Sequence, residues 1–448
     1  MSISTSTLLD LVKKVSETHG DYLTFATTTN ITTNNSIIST TLKQYDNGDD
    51  GAFNGWWVYL NTTANPSVLR KTGLQAGATT YATATGTLTI AGAVLAAESA
   101  AATCYLFKYN RSHYVDAIVE TCKTIYPTLH KRVDNQTLVT GNILPDAHFE
   151  EWPTSSTLTW YSVLSGTLAQ TSTAGLTRGG KYSAKYTAGA TPDYFYISSD
   201  SYPRLLDLQG RTVNFYCWAY PTTTADDASI GIYTVKNDGT TIQNLTSTTT
   251  NAKDVYTQLK LEGQEINDDL DSIQIRFRVK TSGAIVYFDD AYLNGMGLSE
   301  YLLPSGFVTG HPSQLFLQTY GNMDEPFYDL HAFNTWYRGE QIPFTTFNDG
   351  SNHWLKLLDS YENEKRLRLL GFTPLETLSA DTDTITLSSE KVPLLIAQAR
   401  MIFWSREAGY SSVTDTARCE AEYNKAQADF YRLFAVHSMK NLHELGRV

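Results

Sequence analysis

Apolar positions repeat with two periods along this chain, and the period changes several times. Near the C-terminus, residues 391–408 place Leu394, Leu395, Ala399, Ile402 and Phe403 three and four apart, which predicts a helix with one apolar stripe. Pro393 suits its first turn and Gly409 its C-terminal cap. A second helix is predicted over 413–437, capped by Thr414 or Asp415, with Ala417, Ala421, Ala428, Tyr431 and Phe434 along one side. Residues 4–22 read as an amphipathic helix: Thr7 and Asp10 have capping-box spacing, and Leu8, Leu11, Val12 and Val15 form its stripe. Residues 112–133, capped by Ser112 and carrying Ile118, Cys122, Ile125, Leu129 and Val133, read as another helix, kinked or split at Pro127. A helical hairpin cannot bury two stripes by itself, so these helices are expected to form a bundle within the chain or with copies of it.

Elsewhere the period is two. Residues 24–110 predict strands at 55–60, 67–71, 86–90 and 103–108, separated by turn-forming 46–51, 65–66 and 73–77, hence a small β-sandwich or barrel inserted between two helices. Residues 142–294 predict strands at 159–163, 181–186, 194–198, 212–220, 228–235, 255–261, 272–280 and 284–293, a density that means a two-sheet sandwich. Val213, Phe215 and Cys217 face one way there and Asn214, Tyr216, Trp218 and Tyr220 the other; Ile273, Ile275, Phe277 and Val279 face in, with Arg276, Arg278 and Lys280 out. Residues 301–390 are mixed, with strand-like runs at 314–318, 327–333, 335–338, 353–358 and 366–370.

Composition sharpens this picture. Of 448 residues, 42% are hydrophobic and 18% charged, a folded composition with room for two or three domains. The 28 tyrosines and abundant threonine favour half-exposed strands. A net charge of −12 argues against wrapping DNA, though not against a channel through which DNA slides. Cys104, Cys122, Cys217 and Cys419 fit no metal spacing and read as buried thiols of a reducing compartment. No basic region followed by an apolar run opens the chain and no apolar stretch would span a bilayer, so synthesis and folding in the cytoplasm are expected.

Three stretches in this order resemble the head–tail connector (adaptor) proteins of tailed bacteriophages: Asn54-Gly55-Trp56-Trp57-Val58-Tyr59-Leu60 with Leu69-Arg70-Lys71, Gly86-Thr87-Leu88-Thr89-Ile90 and Tyr105-Leu106-Phe107; Asp116-Ala117-Ile118 through Ile125-Tyr126-Pro127-Thr128-Leu129; and 367–387 with the terminal helices. The resemblance implies a helical bundle assembled as a homo-oligomeric ring, commonly of twelve copies, in the virion neck. The ring would join the portal protein to tail or neck proteins and pass genomic DNA without binding it specifically.

The middle of the chain looks like a jelly-roll carbohydrate-binding module, on Asn142-Ile143-Leu144-Pro145-Asp146 with Phe149-Glu150-Glu151-Trp152, Gly179-Gly180-Lys181-Tyr182-Ser183-Ala184, and Val286-Tyr287-Phe288-Asp289-Asp290-Ala291. Such modules often hold a structural calcium near the two ends of the domain, which makes Glu150 and Asp289 the candidate metal ligands; the alternative is that backbone N–H groups satisfy both. Candidate glycan-binding residues are Tyr216, Trp218 and Tyr220 on one strand face, with Tyr233 or the Arg276 and Arg278 row beside them, and Trp160 and Tyr194 near strand edges. Packing on a neighbouring domain is the competing use of such an aromatic face. Asp289 and Asp290 are expected on opposite faces of a strand, unable to act as a catalytic pair, and no nucleophile or phosphate-loop motif is present in the sequence.

The sequence therefore predicts an α+β multidomain chain: connector helix at 1–23, inserted small β-domain at 24–111, connector helix at 112–140, jelly roll at 141–296, and a strand-rich segment with helical hairpin and tail at 297–448. The expected role is a non-enzymatic neck ring with the sandwich as an outward decoration. The alternative is a carbohydrate-recognition protein for host-surface attachment, with no membrane partner in either case.

Overall fold

In the computed structural model, the described residues are 3–18, 20–32, 35–72, 81–239, 242–248, 251–295, 297–307, 310–318, 340–410 and 413–445. The strand-like runs expected at 327–333 and 335–338 lie outside them, as does the turn at 73–77. The chain divides into two compact units, Met1–Lys131 with Pro374–Val448, and Arg132–Thr373.

The first unit holds helices α1 (Leu8–Glu17), α2 (Arg111–Thr124), α3 (Val392–Tyr410) and α4 (Val413–Leu445). Thr7 caps α1 as its spacing predicts, its Oγ1 accepting from Asp10 N at 3.1 Å. Residues Ile3–Thr7 are not helical, however. They form a strand paired with Thr384–Ser388. α2 is capped by Asn110, whose Oδ1 accepts from Ser112 N at 3.0 Å, rather than by Ser112 itself. It ends before Pro127, which has no N–H to continue the ladder, and the chain re-enters extended structure at Lys131–Val139.

A helical-bundle core with β insertions is not what forms, and the α+β expectation is corrected: 39% of the residues are strand and 20% helix. The physical reason lies in the four-stranded sheet ordered Tyr22–Ala26, Thr103–Phe107, Trp57–Leu60, Val68–Lys71. One face gives Val58, Leu60, Cys104 and Leu106 to a β core with Phe25, Ile37 and Leu88. Its other face gives Tyr59 and Phe107 to the core lined by Leu11, Val15, Ile118, Leu395 and Phe403. The helices thus close over a sheet instead of over one another alone. Buried along α4 are Cys419 and Ala426, flanked by Tyr423, Phe430 and Leu433 at alternating steps of four and three. Ala417, Ala421, Ala428, Tyr431 and Phe434, expected inside, lie on the exposed face.

The second unit is all strand with short 3₁₀ turns among its described residues. Its sandwich strands are β1 (Ser162–Val163), β2 (Thr167–Thr171), β3 (Ser183–Thr187), β4 (Asp193–Ser198), β5 (Thr212–Pro221), β6 (Ala228–Lys236), β7 (Ile242–Thr246), β8 (Thr257–Glu265), β9 (Leu270–Val279) and β10 (Ile285–Asn294). They make two five-stranded antiparallel sheets, β1-β4-β9-β6-β7 and β2-β3-β10-β5-β8. This is the expected jelly-roll sandwich, with β2 and β7 added to the predicted strands. Its core is aromatic, with Phe195 and Phe277 stacked at 4.7 Å and Phe149, Phe215 and Phe288 edge-on around them. Beside the sandwich, Lys131–Val139, His311–Leu317, Arg366–Thr373 and Glu340–Gln341 form one sheet and Glu300–Leu302, His353–Leu357 and Phe344–Asn348 another. They share a core of Tyr301, Leu315, Leu355, Leu367 and Leu369.

Candidate binding face of the sandwich

β9 is the central strand of its sheet and alternates strictly. Ile273, Ile275, Phe277 and Val279 are fully buried, which obliges Gln274, Arg276 and Arg278 to point outward. Register then decides what stands beside them. On β4, Tyr194 lies opposite Arg278 and Tyr196 opposite Arg276. On β6, Ser229 lies opposite Arg278, Gly231 opposite Arg276 and Tyr233 opposite Gln274. The Arg276 guanidinium stands over two rings, its Cζ 3.8 Å from the Tyr233 centroid and 4.4 Å from that of Tyr194. Beside it, Gly231 has no room for a side chain, since a Cβ there would sit 2.9 Å from Leu245 O and 3.4 Å from Arg278 Cδ.

Hydrogen bonds hold the platform. Arg276 Nε and Nη2 donate to Gln274 Oε1 at 3.0 and 2.7 Å, and Arg278 Nη1 donates to Thr246 Oγ1 at 2.6 Å. Tyr194 and Tyr196 meet edge to face at 5.7 Å. Burial pulls the Arg276 guanidinium below its ordinary range and Arg278 adds to this, while Tyr194 and Tyr233 pull the other way. The result is a half-buried, pre-ordered surface of tyrosine rings interleaved with guanidinium groups, able to stack on flat apolar faces and donate hydrogen bonds at its centre.

The residues singled out from the sequence do not gather in one place. Tyr194 belongs to this face. Tyr216, Trp218 and Tyr220 share the outer face of β5, which is in the other sheet, so the Arg276 and Arg278 row is not beside them. Tyr216 stacks on Tyr292 and donates to Glu262 Oε1 at 3.1 Å; the Arg178 guanidinium lies 3.9 Å over Trp218; Tyr220 packs on Tyr256 and Tyr287. Trp160 leans on Tyr202 at the rim of the core. Tyr196 and Gln274 escaped notice, although the alternation of Tyr194 and Tyr196 with Phe195 and Ile197 was there to read.

At one end of the sandwich, a β-bulge opposite 216–218 gives Asp290 a φ of +48° and breaks the expected alternation. Both carboxylates therefore reach the segment at 178–179. Asp289 Oδ2 accepts from Arg178 N at 2.8 Å and Gly179 N at 3.1 Å, and Asp290 pairs with Arg178 and with His148 Nδ1. Burial works against ionisation of Asp290, yet His148, Arg366 and Arg178 together hold its carboxyl well below the usual carboxylate range. Burial, with the Asp290 charge beside it, pushes Asp289 up. Glu150 Oε1 accepts from Lys181 N at 2.7 Å and Tyr182 N at 3.0 Å, and its carboxyl is raised, by burial above all. Glu150 and Asp289 thus each accept hydrogen bonds from backbone N–H groups, which is the alternative the sequence offered to calcium ligation. Among the described residues no group of three or more His, Cys, Asp and Glu side chains is placed to hold a metal ion.

Neither a protein-family profile nor a curated protein sequence matches the chain. Among solved structures it is similar to the C-terminal family 22 carbohydrate-binding module of Clostridium thermocellum Xyn10B, at 15% identity and TM-score 0.29 over 35% of this chain and 94% of that one. It is similar to the module TmCBM61, solved with β-1,4-galactotriose, at 15% identity and TM-score 0.24 over 35% and 99%. A third similarity is to the enzymatically active domain of tailspike protein 4 of bacteriophage CBA120, at 12% identity and TM-score 0.26 over 35% and 22%.

Proposed function

We propose that the chain is a carbohydrate-recognition protein and that its sandwich binds glycan on the outer face of the β1-β4-β9-β6-β7 sheet. One observation carries this reading: Arg276 is fixed between Tyr194 and Tyr233 in the middle of that face. Sugars present apolar C–H faces and a rim of hydroxyls. A surface that alternates aromatic rings with immobilised N–H donors matches both, and it loses little conformational entropy on binding because Gln274 and Thr246 already hold the arginines. The role is one of binding, without a reaction. Titration calorimetry of the full chain with β-1,4-xylohexaose and β-1,4-galactotriose tests it, with Tyr233→Ala as the control that should weaken binding about tenfold or more.

A second reading concerns the first unit. Helix α4 has 33 residues against 19 in α3, and it shows solvent Tyr431 (58% exposed), Phe434 (38%) and Val436 (49%). Exposed apolar side chains of this kind, with Tyr431 and Phe434 on one face, favour assembly with further copies, as in a portal-bound ring at a phage neck. Electron microscopy of the chain with its portal tests this role.

A further inference from the structure

We infer that the glycan taken by the Tyr194–Tyr233 face carries carboxylate groups, so that the ligand class is an acidic polysaccharide; this deepens, and rests on, the carbohydrate reading above. The observation is an imbalance of charge. Arg276 and Arg278 stand two residues apart on β9, both half-buried, and among the described residues neither makes an ion pair with Asp or Glu. Their partners are the neutral Gln274 and Thr246 and the rings of Tyr194 and Tyr233.

Several other arginines of the chain do find a carboxylate, although the half-buried Arg70 makes no ion pair among the described residues either. Arg111 pairs with Asp381, Arg204 with Glu300, and Arg368 with Asp134. The chain has 46 acidic side chains for 34 basic ones, so carboxylates are not scarce. Two partly desolvated cations next to each other cost free energy unless an anion joins them. Here the fold provides none from its own described residues, and the Nη1 edge of Arg276 makes no hydrogen bond among them. A guanidinium fork fits a carboxylate through two parallel N–H···O bonds, which a hydroxyl cannot reproduce.

The charge of the whole chain narrows the class further. At −12 the molecule repels a dense polyanion at long range, while attraction at the two arginines acts only within a Debye length of about 8 Å. A polymer with one carboxylate per sugar and apolar ring faces between them suits this face better than a nucleic acid or a heavily sulfated chain.

The test uses the full chain at about 150 mM salt. Oligo-galacturonate, oligo-glucuronate and oligo-mannuronate are each titrated beside their own methyl esters, which keep the sugar and linkage and remove the charge. The expected result is that at least one acid binds about tenfold or more tighter than its ester, and that Arg278→Gln and Arg276→Gln each reduce the acid to the level of the ester. Near-UV circular dichroism of both variants should match the parent, which separates lost contact from lost fold. If esters bind as tightly as acids, or if the variants keep the preference, this inference falls while the carbohydrate reading stands. If no sugar in the panel binds, both fall. Tighter binding of sulfated or phosphorylated oligosaccharides, or of single-stranded DNA, than of any uronate overturns the carboxylate assignment.

Discussion

The guanidinium carbon of Arg276 lies 3.8 Å from the centroid of the Tyr233 ring, although the two residues sit on neighbouring strands with Gly231, not Tyr233, directly opposite Arg276. The arginine therefore reaches the ring diagonally along the sheet, across the position opposite it that carries no side chain. Tyr233→Ala should therefore weaken glycan binding about tenfold or more, by removing both the stacking face and the support of Arg276, a loss of about 1.4 kcal/mol or more. Stability should fall by under about 1 kcal/mol, because the ring is outside the core. Calorimetric titration and a urea melt read the two effects separately.

Gly231→Val should disturb the same face through Arg278. A Cβ at this position is already 2.9 Å from Leu245 O, so the branched side chain must push on the β7 backbone or on Arg278. Binding should be lost and the sandwich destabilised by about 1–3 kcal/mol. Gly231→Ala should show a smaller loss of both, measured by the same titration and melt.

The carboxylate end of the sandwich makes a prediction about pH. Asp290 has a depressed folded-state pKa, so its contribution is fully present above its unfolded value, near 3.9, and is lost as pH falls through the folded value. Asp290→Asn leaves the buried His148 and the half-buried Arg178 beside a neutral group and should cost about 3–5 kcal/mol at pH 7. Asp289 is shifted the other way, so its ionisation opposes folding and Asp289→Asn should cost far less. The gap between the two variants should begin to narrow below about pH 4 and close only as pH falls through the depressed folded value of Asp290. Urea titrations at pH 7 and at acid pH check this, and equal costs at pH 7 would contradict it.

Tyr431→Ser with Phe434→Ser should lower self-association of the chain without changing its melting temperature. Both side chains are exposed on α4 and meet the ring of Phe430, and neither is among the buried residues of the core that holds Cys419. Analytical ultracentrifugation over a range of concentrations reads the change.

How much of this was legible in the sequence depends on which period was being read. Period two was reliable where both sheet faces have different fates. The alternation of Val213, Phe215 and Cys217, and of Ile273, Ile275 and Phe277, predicted the sandwich and its inner face. It could not say which strands neighbour one another, so Arg276 was set beside Trp218 when pairing places it beside Tyr196. The helical period was read correctly in α3 but out of phase in α4. There the small alanines look like a packing stripe, yet the buried set is Cys419, Tyr423, Ala426, Phe430 and Leu433. The bundle expectation failed because a helix stripe does not reveal whether its partner is a helix or a sheet, and here Tyr59 and Phe107 of a sheet fill that place. The convergence of Asp289 and Asp290 was hidden for a local reason: a positive φ at a non-glycine residue leaves no mark on the pattern.

Isothermal titration of the full chain with an oligosaccharide panel, repeated on Tyr194→Ala and Tyr233→Ala, shows whether the Tyr194–Tyr233 face is the glycan site. The account predicts saturable heat with at least one oligosaccharide and its loss in both variants, while Tyr216→Ala on the opposite sheet binds as the parent does. Saturable binding that survives both substitutions, or that disappears only with Tyr216→Ala, would place the glycan elsewhere and contradict the account.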